Sequence, residues 1–100
     1  MIKIQISRHG DLIDSISIKG HAGYDENGKD IVCASVSSIV ITTVNAIVRV
    51  DESSIKYQEN DGFVDIQILK HTDITDTLIR NMIDLLENLE LQYSKNVKIY

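Results

Sequence analysis

The chemically distinctive residues lie in one stretch, GHAGYDENGKDIVCASVSSI, positions 20–39. Cys33 is the only cysteine, so no internal disulfide can form, and the thiol is either a small buried hydrophobe or a reactive group. A helix is expected from Ile31 onward, with Asp30 as its cap. That places Cys33 at the third helical position, where unpaired backbone N–H groups and the helix dipole favour an anion. A thiolate is the nucleophilic form of the residue. His21 lies twelve residues upstream, and a flexible loop of that length can fold back to the sulfur. The two would support acyl transfer, with Cys33 as nucleophile, His21 as general base and helix-start amides holding the oxyanion. Gly20, Gly23 and Gly28 loosen the connecting loop, which is expected to be the most mobile segment without ligand and to order when a peptide binds.

Each residue also has a plainer reading. His21 taken alone is a loop histidine. Asp30 is first a helix cap, with orientation of His21 as the alternative, and its charge opposes charge on the sulfur. Ser37 lies one turn beyond Cys33 on the same face, and packing at a close helix contact is the favoured reading over support of the site. Ala34 and Ser35 are small enough to leave room for a substrate main chain. A metal centre built from His9, His21, Cys33 and His71 fails on spacing, because no CxxC, HxxxH or HExxH pattern sets two ligands on one element. No metal or cofactor is expected. His9, in a turn, and His71, just before a helix, read as solvated or capping residues. The CGSCW and QACRG signatures of papain-like enzymes and caspases are absent.

The elements that must position these residues follow from periodicity. Ile2, Ile4 and Ile6 alternate over residues 2–7, as do Leu12, Ile16 and Ile18 over 12–19, with turn chemistry at Arg8, His9, Gly10 and Asp11 between them. Ile55 and Tyr57 alternate before Asn60, Asp61 and Gly62, and Val64, Ile66 and Ile68 after them, a second hairpin. Val97–Tyr100 reads as a fifth strand. Residues 76–92 carry Leu78, Ile79, Met82, Ile83, Leu85, Leu86 and Leu89 at helical spacing, with Asp73 and Thr75 as capping candidates. Ile31–Val50 is rich in Val, Ile and Thr, which favour strands. Its apolar residues nevertheless recur at three- and four-residue steps over twenty positions, too long for a typical strand. That length also suits a membrane span, but Ser35, Ser37, Ser38, Thr42, Thr43, Asn45 and Arg49 argue against one.

The order ββαββαβ implies an α+β fold: a mostly antiparallel sheet of about five strands with two helices packed on it, forming a single domain over residues 1–100. A chain of this size buries only about 60–65% of the surface exposed on unfolding, which makes homodimer formation an economical source of stability. With 43% hydrophobic and 25% charged residues it has the composition of a folded globular protein. A net charge of −5 excludes the positive field that concentrates nucleic acid and suits a basic partner. MIKIQIS lacks the apolar run of a secretion signal, and the lone thiol fits a reducing compartment, so a cytoplasmic location is expected.

On these residues, GHA followed by a glycine-rich loop and the DIVCA helix start, the sequence resembles the bacterial ribosomal-processing cysteine protease family, over the whole chain in length and element order. The resemblance implies a Cys33/His21 protease that removes a short N-terminal extension from the twenty-seventh large-subunit ribosomal protein before it is used in the ribosome. It implies a hydrophobic, aromatic-ended substrate segment before a small residue, and a homodimer. Gly20, Asp30 and Ser37 match family positions and would support the site. Ser35 and Ser38 stand where many relatives have alanine, which bears on the substrate groove and leaves the dyad intact. Two other classes of function fit the residues: a non-catalytic module that binds a ribosomal protein through the same loop, and a cysteine hydrolase of a small thioester or amide.

Overall fold

The computed structural model describes residues 1–26 and 28–100. Its elements are β1 (Ile2–His9), β2 (Leu12–Lys19), α1 (Ile31–Asp51), a short 3₁₀ turn (Glu52–Ser54), β3 (Ile55–Asn60), β4 (Phe63–Ile68), α2 (Asp73–Gln92) and β5 (Val97–Ile99). The strands form one sheet in the order β3-β4-β2-β1-β5. Pairing is antiparallel except between β1 and β5, so the expected α+β architecture and element order are present. Both two-residue hairpin turns place a glycine at positive φ, Gly10 at 62° and Gly62 at 71°, a conformation that other residues adopt at a cost.

The helices cover one face of the sheet, and cross-strand pairing lays that face out in rows. One row runs Glu59, Val64, Ile18, Ile4 and Ile99 across all five strands, and the next runs Tyr57, Ile66, Ile16 and Ile6. Ile4, Ile16 and Ile66 are fully buried, each worth about 1.5–3 kcal/mol of apolar burial. In α1 the buried residues are Val32, Val36, Val40, Thr43, Val44 and Ile47, a helical stripe that packs on the sheet and on α2. Packing thus overrides the strand propensity of its β-branched side chains. By length and composition alone α1 could cross a membrane, yet this stripe belongs to the core.

Two local expectations need correction. Alternation predicts Leu12 on one face with Ile16 and Ile18, but it is 39% exposed while Ile13 is buried. A β-bulge is the cause: Ser7 pairs with Ser15 and Arg8 with Ile13, so the ladder skips Asp14 and the facing of β2 inverts. At α2 the cap is neither Asp73 nor Thr75 but Thr72, whose side chain accepts from the Thr75 N–H. Thr75 is instead buried, and its hydroxyl donates to Ser54 Oγ at 3.0 Å, joining α2 to the 3₁₀ turn.

Candidate active site

The β2–α1 connection is organised around Asp30. Its Oδ1 accepts the N–H groups of Val32 and Cys33, both at 3.0 Å, and its Oδ2 accepts those of Tyr24 at 2.9 Å and Asp25 at 3.2 Å. One carboxylate therefore caps the helix and ties down the loop. Burial alone would raise its pKa, but the four backbone donors outweigh burial and hold it below the ordinary aspartate value. His21 is not among its partners, so the capping reading of Asp30 is the one the geometry supports.

Cys33 follows in the first turn of α1, half-buried. Its Sγ accepts the Ala22 N–H at 3.2 Å, so the chain immediately after His21 crosses the thiol. Ala22 is held from its other side as well, because its carbonyl accepts the Asn96 side-chain amide at 3.1 Å. Tyr24 packs edge-on to Tyr93, with ring centroids 5.5 Å apart. These contacts correct one expectation. The Val32 and Cys33 amides are engaged by Asp30, and the Ala34 N–H donates to the Asp30 carbonyl at 3.1 Å. The helix-start donors expected to face a substrate oxygen are thus occupied, and the amide that reaches the sulfur comes from the loop.

His21 is exposed on the cleft and borders the β3–β4 turn. A Cβ on Gly62 would lie 3.3 Å from its Nε2, so the missing side chain makes room for the imidazole. The Gly20 N–H donates to the Gly62 carbonyl at 2.9 Å, which joins the start of the loop to that turn. Gly20 itself has φ 93°, and a Cβ there would lie 2.6 Å from the Met1 carbonyl oxygen. Only glycine fits. Among the described residues the His21 ring has no hydrogen bond, so its place on the cleft is set by the backbone contacts of Gly20 and Ala22 on either side of it.

His21 and Cys33 line one cleft of about 660 Å³ between α1 and the sheet. Val36, Val40 and Ile41 of α1 face Ile18, Val64 and Tyr57 across it, and Asp25, Glu59 and Asp61 give it an acidic margin. Ser37 is exposed on this cleft and so does not fill a buried helix contact. The sequence reading missed the β3–β4 hairpin as part of the site. Asn60, Asp61 and Gly62 were legible as a turn, but nothing local marks which loop that turn will meet. The other two histidines stand apart. His9 ends β1 and is exposed, while His71 Nδ1 lies 2.9 Å from Asp76 Oδ1 at the start of α2. Among the described residues no group of three or more His, Cys, Asp or Glu side chains could hold a metal.

Comparison with known proteins gives one consistent answer. The family model described as cysteine protease Prp matches residues 1–98. The ribosomal processing cysteine protease Prp of Bacillus subtilis strain 168 is 32% identical over 107 aligned positions, covering 99% of this chain and 96% of its own length. Its counterpart from Staphylococcus aureus strain Mu50 is 30% identical, covering 98% of this chain and 94% of its own. The crystal structure of an essential ribosomal processing protease Prp from S. aureus, in complex with a covalently linked product peptide, superposes with a TM-score of 0.93 at 26% identity over 99% of this chain and 97% of that one.

Proposed function

Since the chain belongs to the cysteine protease Prp family, we propose that Cys33 and His21 carry out its peptide-bond hydrolysis and that its substrate is the N-terminal extension of the twenty-seventh large-subunit ribosomal protein. His21 takes the proton of the Cys33 thiol as the sulfur attacks the scissile carbonyl, and then delivers it to the leaving amine. The N-terminal fragment is left as a thioester on Sγ. Water, deprotonated by His21, attacks that thioester, releases the fragment as a carboxylic acid and returns the thiol. The Ala22 amide, directed at Sγ, stabilises negative charge on the sulfur.

The observation that carries this reading is the Ala22 N–H to Sγ contact, which brings the residue next to His21 onto the thiol within a peptide-sized cleft. The apolar walls of the cleft suit a hydrophobic, aromatic-ended segment, and its acidic margin suits a basic ribosomal protein. Action on a ribosomal protein fits a cytoplasmic enzyme, and the small core favours a homodimer. Incubation with that ribosomal protein from the same organism, followed by intact mass measurement, tests the assignment. A single loss corresponding to a short N-terminal segment is expected. An unchanged mass, or cuts elsewhere, would refute the substrate.

A further inference from the structure

One side chain of the cleft breaks the pattern of its surroundings. The sheet row that ends at Glu59 is otherwise Val64, Ile18, Ile4 and Ile99, so Glu59 occupies a core-facing position on an edge strand. Glu59 is exposed there, at the edge where the row opens onto the cleft, so a solvated carboxylate stands on a wall that is otherwise apolar along this row. Its neighbour on the same strand face is Tyr57, whose hydroxyl donates to Glu59 Oε2 at 2.5 Å. Burial first, and then this acidic partner, pushes the Tyr57 phenol up to about 12. The tyrosine therefore stays a donor and fixes the carboxylate.

Among the described residues Glu59 has no cationic partner: the ion pairs are Lys29 with Glu26, Lys70 with Asp51, and His71 with Asp14 and Asp76. Lys19, paired with Phe63 one position along, alternates to the opposite face of the sheet and stands over the Phe63 ring at 5.7 Å. A fixed carboxylate on the wall of an apolar cleft is thus left to meet a charge brought in from outside.

We propose that Glu59, held by Tyr57, is a specificity-determining residue that pairs with a lysine or arginine of the substrate peptide near the scissile bond. The inference rests on the protease reading above and adds to it a charge requirement on the substrate.

The test uses the full chain and one peptide that it cleaves, with each position flanking the cut replaced in turn by Lys, Gln or Glu. At one position Lys should exceed Gln in kcat/KM by about tenfold at low salt. That preference should shrink in the parent enzyme as ionic strength rises. Glu59→Gln should bring the ratio close to one, Glu59→Lys should turn the preference toward Glu, and Tyr57→Phe, which frees the carboxylate, should give an intermediate ratio. An unaltered Lys preference in Glu59→Gln, or no Lys preference at any position in the parent, overturns the proposal while the protease reading stands. Absence of any peptide cleavage by the parent would instead remove the reading beneath it.

Discussion

Asp30 is the residue on which the site's order depends, because one carboxylate holds two amides of the helix start and two of the loop. Its pKa lies below the ordinary value of 3.8 in the folded chain. The stability it contributes is therefore fully present above about pH 4 and is lost as pH falls through the depressed folded value. Asp30→Asn should unfold at lower temperature than the parent at neutral pH, and the difference should close in acid below that range. A difference that persists unchanged in strong acid would show that the carboxylate charge is not what matters. His21 is tested against its own kind. His21→Ala should lose about 10²–10⁴-fold in turnover, the usual worth of a general acid–base, whereas His9→Ala and His71→Ala should keep parental rates. Loss in His71→Ala with an intact fold would move the base. Of these features, the capping role of Asp30 and the place of Cys33 in the first turn of α1 were legible from residue type and position. The Ala22 amide was not, since a backbone donor has no signature of its own in sequence.

At the level of elements, two glycines set the place of His21 and do so differently. Gly20 has no room for a Cβ, because the Met1 backbone oxygen would be 2.6 Å away. Gly62 has room for one only against the His21 ring, and Gly10, at φ 62°, has open space. An alanine at any of the three costs about 1–2 kcal/mol for the left-handed backbone. Denaturant unfolding should therefore rank Gly20→Ala as the most damaging and Gly10→Ala as paying the backbone cost alone. Turnover should suffer in Gly62→Ala and survive in Gly10→Ala, and equal turnover in those two variants would sever the hairpin from the site. Periodicity and turn chemistry made all five strands and both helices readable, including α1 against its residues' strand propensity. What escaped was set by pairing: the bulge that skips Asp14 depends on β1, and the choice of Thr72 over Asp73 as cap depends on where α2 docks.

For the whole molecule, the net charge of −5 and the mixed sheet with helices on one face describe a scaffold that leaves a cleft open beside α1. Fold class was readable from element order, whereas the cleft was not, because it forms between residues far apart in the chain, such as Ile41 and Val64. The scaffold brings the first turn of α1, the loop through His21 and the β3–β4 turn to one cleft. Replacing the Cys33 thiol decides whether it is the nucleophile. Cys33→Ala should retain the fold and still bind peptide, while its cleavage rate on the ribosomal protein, followed by intact mass, falls by several orders of magnitude. Cleavage at the same bond within tenfold of the parental rate would mean that Cys33 is not the nucleophile.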